Sequence, residues 1–134
     1  MRIRVATKED YRWIARAVGK KNLPYCTASH IKDDFMWHRL YCVYEGDKVL
    51  ATFSLVYDYD YDYLAIKRLC ILNKKNEGKG IAKFAIHSIL RYLRGKVGVT
   101  PWEDNIAMRR VLESEGFHLE YKFMGHWCFY SKEM

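Results

Sequence analysis

Met1 to Ala6 sets Ile3 and Val5 against Arg2 and Arg4, the period-two alternation of a short strand. Thr7 then precedes Lys8-Glu9-Asp10, an N-cap with an acid three residues on. Tyr11, Ile14, Ala15 and Val18 recur at helical spacing until Gly19 stops them. Lys20-Lys21-Asn22-Leu23-Pro24 reads as a loop with solvated lysines, and a second helix is expected from Ser29 to His38, with Ile31 and Phe35 on its core face. Arg39–Glu45 and Lys48–Tyr57 read as strands around the tight turn Glu45-Gly46-Asp47-Lys48.

Tyr57 to Tyr63 alternates tyrosine with aspartate. Extended, it would place the tyrosines on one face and Asp58, Asp60 and Asp62 on the other. It fits a solvated hairpin end, or an acidic aromatic rim that attracts a cationic amine. Leu64–Leu72 is the next strand. From Ile81 a helical stripe runs through Ala82, Ala85, Ile86, Ile89, Leu90 and Leu93, with Lys83, His87, Arg91 and Arg94 on the wetter face, and the helix is expected to stop near Gly95. Lys96–Thr100 is a strand ended by Pro101. Asp104 or Asn105 caps a helix that stops at Gly116. Phe117–Met124 and Trp127–Lys132 form a closing antiparallel pair that turns near Gly125-His126. The predicted order is β-α-α-β-β-β-α-β-α-β-β: an α/β chain (an α+β mixed sheet) with helices on both faces, in one domain spanning 1–134.

Composition narrows the function classes. Half of the residues are hydrophobic and 16% aromatic, enough for a core and too many for disorder. The net charge of +7 favours anionic ligands, with nucleic acid and a nucleotide-bearing cofactor both eligible. No nucleic-acid recognition motif is present, which disfavours the first. Cys26, Cys42, Cys70 and Cys128 lie far apart, as in a reduced, cytoplasmic chain. The histidines lack paired ligand spacing, so no metal is expected. No apolar run approaches the roughly 20 residues of a membrane span, and no secretory segment opens the chain.

The stretch from Leu69 to Arg94 carries the chemistry. A buried strand gives way to a basic loop in which Gly78 and Gly80 bracket Lys79, and a helix begins at Ile81. A helix start offers unpartnered N–H groups and partial positive charge. Glycines let an anion approach those donors, and Lys79 and Lys83 add full charges. The arrangement suits a pyrophosphate; it also suits an ordinary strand-to-helix turn. A P-loop is excluded by the missing Gly-Lys-Ser/Thr ending, and the third glycine of a dinucleotide fingerprint would fall at Lys83.

Glu77-Gly78-Lys79-Gly80-Ile81-Ala82 resembles the acyl-CoA signature of the GNAT N-acetyltransferases, Arg/Gln-x-x-Gly-x-Gly/Ala: Gly80 and Ala82 match, and Glu77 departs. The segment from Asn105 to Phe117 resembles the family's Asn-x-x-Ala/Met helix that ends in Gly-Phe. Order and spacing suit the family over nearly the whole chain.

The resemblance implies a GNAT-like acyl-CoA N-acyltransferase fold with acetyl-CoA as co-substrate. CoA would enter between splayed strands at Leu64–Leu72 and Lys96–Thr100. Main-chain atoms of Ile71, Leu72 and Asn73 would meet the pantetheine and thioester, and amides of Glu77, Gly78, Lys79, Gly80, Ile81 and Ala82 the pyrophosphate. Asn105 would face the cofactor, or only cap its helix. Arg109 would reach phosphate or adenine, or stay in solvent. The family's tyrosine acid falls at Leu112 and its glutamate base among Lys67 and Arg68, so no catalytic residue is assigned. Asp58, Asp60, Asp62 and several tyrosines stay open. His118 and His126 read as structural or exposed.

The implied activity is acetyl transfer to a primary amine on a small molecule or peptide, by direct attack in a ternary complex; the alternative is a GNAT-like domain that binds CoA or another ligand without turnover. Trp127 and Phe129, exposed on a terminal strand, would permit a homodimer by edge pairing.

Overall fold

The N-terminal alternation becomes strand β1 (Arg2–Val5), and in the computed structural model, which describes residues 1–134, the remaining elements follow in the expected order. They are α1 (Lys8–Gly19), α2 (Ala28–Met36), β2 (Leu40–Glu45), β3 (Lys48–Asp58), β4 (Tyr63–Ile71), α3 (Ile81–Leu90), β5 (Lys96–Val99), α4 (Ile106–Ser114), β6 (His118–Phe123) and β7 (Trp127–Glu133). A single 3-10 turn, Lys74–Asn76, precedes α3. The strands form one seven-stranded mixed sheet in the order β1-β2-β3-β4-β5-β7-β6. β4 and β5 pair in parallel, as two strands joined by a crossover helix must.

By packing, the chain falls into two units: Met1–Leu55 with Arg68–Ile81, and Val56–Lys67 with Ala82–Met134. In the first, Ile14 and Val18 of α1 and Ile31 of α2 form a core with Leu40, Cys42 and Leu72. Tyr11 stacks on Phe35 at 4.7 Å between centroids. Thr7 caps α1 with a reciprocal box: its hydroxyl accepts from the Asp10 amide and the Asp10 carboxylate accepts from the Thr7 amide. Arg4 pairs with Asp10 at 2.9 Å.

In the second unit the stripe of α3 is buried as its spacing predicts, through Ala85, Ile86, Ile89 and Leu90. Tyr63 and Tyr121 both pack on Phe129, each with ring centroids 5.1 Å apart.

Four expectations change. The helix at α3 ends at Leu90, short of Gly95, because Tyr92 and Leu93 donate to the carbonyls three residues back and tighten the chain into a turn. α2 ends at Met36, before His38, which turns the chain with φ +56°. The tyrosine–aspartate tract is not extended: Asp58 Oδ1 accepts from the amides of Asp60 and Tyr61 and folds it into a turn. Tyr59 and Tyr61 project into solvent, so the tract forms a hairpin end and has no two-faced rim. Finally, β7 lies between β5 and β6 and Phe129 is 4% exposed. Residues inside a sheet cannot offer an edge, so the rationale for a homodimer through Trp127 and Phe129 is lost.

Candidate functional site

In the first unit the end of β4 fixes which main-chain groups are available. The Leu72 amide donates to the Leu50 carbonyl at 3.0 Å. Successive residues of an extended chain present their N–H and C=O to opposite sides, so Leu72 serves β3, and Ile71 and Asn73 turn theirs away from it. The Leu72 amide is therefore already engaged within the chain. The Asn73 carbonyl accepts from Asn76, and its side chain accepts from the Lys75 amide, which folds the 3-10 turn. The Glu77 amide closes that turn onto the Lys74 carbonyl at 3.1 Å.

Beyond the turn, Gly78 and Gly80 hold φ of +75° and +77°. A Cβ added at either would meet nothing within 4 Å. The backbone conformation, not crowding within the chain, requires glycine there, and the space beside both is open. Residues 77 to 80 are exposed, and α3 begins at Ile81. Lys79 is exposed as well. The Glu77 carboxylate has a partner that the sequence did not suggest: Lys21 Nζ lies 3.9 Å away. Lys21 is therefore not simply solvated, and it offsets the anion where the family signature has a cation.

One residue of β4 is conformationally unusual. Arg68 has φ +53°, in a region that costs a side-chain-bearing residue on the order of 1–3 kcal/mol. Its guanidinium donates to both oxygens of Asp34, Nε at 2.8 Å and Nη2 at 2.7 Å. Asp34 is wholly buried. It also accepts from Ser54 Oγ at 2.5 Å and from Arg39 Nη2 at 3.3 Å. The sequence held one signal of this cluster: Asp34 falls on the apolar stripe of α2, between Ile31 and Phe35.

In the second unit, β4 pairs with β5 only at Leu64↔Val97 and Ala65↔Gly98. β5 ends at Val99, whereas β4 continues to Ile71. Ala82 is half-buried in the first turn of α3. Lys83, expected as a free charge, is tied to the end of α4, 2.8 Å from Ser114 Oγ and 3.3 Å from Glu115 Oε2. His87 sits 2.6 Å from the same carboxylate. Burial would raise the Glu115 pKa, but His87 and Lys83 outweigh it and hold it below its ordinary value.

Asn105 is the N-cap of α4, with Oδ1 accepting from the Met108 amide at 3.2 Å; its exposed Nδ2 keeps its donors. Arg109 donates to Tyr130 Oη at 3.0 Å and to the Glu103 carbonyl at 3.1 Å. Tyr130 is buried, and its hydroxyl donates a hydrogen bond to Glu113 Oε1 at 3.0 Å. Leu112 is fully buried. His126 pairs with Glu103 at 2.9 Å and stacks on Trp102, a structural role, and His118 is exposed.

This fold is that of the GNAT acetyltransferases. A GNAT-family acetyltransferase from Streptococcus agalactiae superposes with a TM-score of 0.84 at 17% identity, covering 99% of this chain and 95% of its own. A second, from Bacillus cereus, gives 0.78 at 16% identity, with 98% and 96% covered. Spermidine N-acetyltransferase from Vibrio cholerae, solved in complex with CoA and spermine, gives 0.74 at 17% identity, with 98% and 94% covered. No protein-family model and no curated protein sequence matches the chain. At such identities the likeness establishes the fold.

Proposed function

We propose that this protein transfers the acetyl group of acetyl-CoA to a primary amine, on a small molecule or peptide, by direct attack in a ternary complex. One observation carries the reading. β4 leaves its ladder with β5 after Ala65, and its far end opens into a glycine loop and a helix start. Bare main-chain donors and an anion-binding helix terminus then follow one another along a few residues. The likeness in fold to GNAT acetyltransferases, one of them holding CoA, supports it.

In this reading Ile71 offers its outward main-chain groups, and Asn73 its amide, to pantetheine and the thioester. The amides of Gly78, Lys79, Gly80, Ile81 and Ala82 hold the pyrophosphate, with Lys79 adding charge. Asn105 contributes through Nδ2, and Arg109 through what its bonds to Tyr130 and Glu103 leave free. The unprotonated amine attacks the thioester carbonyl. A main-chain N–H steadies the oxyanion. The C–S bond then breaks, the CoA thiolate leaves and the amine proton passes to solvent or a nearby base. Proximity supplies much of the acceleration, since effective molarities reach about 10⁵ M or more. The four unpaired cysteines fit a reducing, cytoplasmic setting.

A second reading, binding without turnover, is favoured by one feature. Where the family has its acid and base, this chain has a buried Leu112 and an Arg68 locked to Asp34.

Thermal melting with acetyl-CoA tests both, because a ligand that binds only the native state raises the midpoint. The expected result is a midpoint that climbs with the logarithm of acetyl-CoA concentration and does not climb in Gly80→Asp, whose side chain places a carboxylate in the open space beside the loop. No rise in the wild-type protein would refute both readings. Release of CoA thiol over a panel of amines separates them: turnover with any amine supports the transferase, and none across the panel supports the binder.

A further inference from the structure

Five non-glycine residues have positive φ: Asn22, His38, Asp62, Arg68 and Met124. Four lie in turns, where the chain must reverse; Arg68 lies inside strand β4. No turn accounts for its conformation, and its side chain is tethered. Both carboxylate oxygens of Asp34 receive that side chain, and the carboxylate is itself anchored by Ser54 of β3 and by Arg39 at the entry to β2. Arg39 is fixed in turn: its amide donates to the Asp34 carbonyl at 2.8 Å and its carbonyl accepts from Leu55 at 3.1 Å. Asp34 is thus a rigid point to which β4 is pinned.

The cluster is a poor device for stability alone. Two guanidinium groups share one buried carboxylate, and buried Arg39 Nε has no partner. Apolar side chains of similar size would avoid that desolvation. Its position suggests another use. A positive φ rotates the peptide planes that follow it, and Arg68 comes three residues before Ile71, which precedes the β3-bonded Leu72.

We propose that Asp34 is a positioning residue: through Arg68 it holds β4 in its kinked path and so aims the main-chain groups of Ile71 and Asn73 at the acyl-CoA. This rests on the acetyl-CoA reading above.

Arg68→Ala and Arg68→Gly test it. Both leave Asp34 without its bidentate partner, and they differ in one respect: glycine adopts positive φ unaided and alanine does not. Calorimetric titration with acetyl-CoA, well below each melting point, should show Arg68→Gly binding about tenfold or more tightly than Arg68→Ala, as expected when a small misplacement disrupts an oriented site. Asp34→Asn should weaken binding like Arg68→Ala, and adding Arg68→Gly to it should restore most of the loss. Should Asp34→Asn fail to fold, the alanine–glycine comparison decides alone. Equal affinity of the alanine and glycine variants, with the wild-type protein binding, would overturn the clamp and leave the acetyl-CoA reading standing. No binding by the wild-type protein would overturn both.

Discussion

Gly98 has no room for a methyl group. A Cβ there would lie 2.7 Å from Phe129 Cε1 and from two atoms of the Tyr63 ring. Gly98→Ala should cost about 1–3 kcal/mol by overpacking, read as a lower urea midpoint with an unchanged slope. The cysteines make a second expectation. All four are buried and unpaired. Burial, with Asp10 nearby, pushes the Cys42 thiol up to about 11, and a hydrogen bond to Cys70 together with burial raises Cys26. A thiol reagent at pH 8 should therefore label the native protein slowly and all four cysteines at once in guanidinium; rapid labelling of Cys42 in the native protein would contradict this placement. Their spacing in the sequence suggested unpaired thiols. It held nothing of the contact between Cys26 and Cys70, because side chains far apart in the chain meet only through the fold.

The elements were read from periodicity wherever a residue's local neighbours decide its conformation. The capping box at Thr7 is such a case, and Thr7→Ala should lower stability by about 1 kcal/mol. Burial would raise the Asp10 pKa, but the Thr7 hydrogen bonds and the Arg4 guanidinium prevail and hold it below the ordinary value of an aspartate. A carboxylate lowered in the folded state stabilises above its unfolded pKa and loses that contribution as pH falls through the folded value. Wild type should therefore melt above Asp10→Asn at pH 7, and the gap should narrow toward pH 3. A gap that widens in acid would reverse the assignment. Local pattern failed where a single bond redirected the chain. Asp58 folds the tyrosine–aspartate tract, and two tightened bonds end α3 early. It also failed where partners are remote, as with Lys21 and Glu77, Lys83 and Glu115, and Asp34 and Arg68, which are 34 residues apart. A charge on a solvated loop and a charge in an ion pair look alike in a sequence.

Seen entire, the chain keeps the order of elements and the mixed sheet of the GNAT acetyltransferases at 16–18% identity to the solved structures it resembles. That order was legible because apolar spacing and glycine placement survive where individual residues do not. The glycine loop before α3 was legible too, since glycines ahead of a helical stripe mark a turn into a helix. Leu72 and Glu77 have their amides bonded within the chain, so we propose that Ile71, Asn73 and residues 78 to 82 supply the donors. A titration of ¹⁵N-labelled protein with acetyl-CoA, followed amide by amide, tests this most directly. The amides of Ile71, Asn73 and residues 78 to 82 should shift and saturate together, and those of Leu50 and the α1 turn at Thr7 should hold still. Saturating acetyl-CoA that leaves the β4 end and the glycine loop unmoved, or that moves only residues elsewhere, would contradict it.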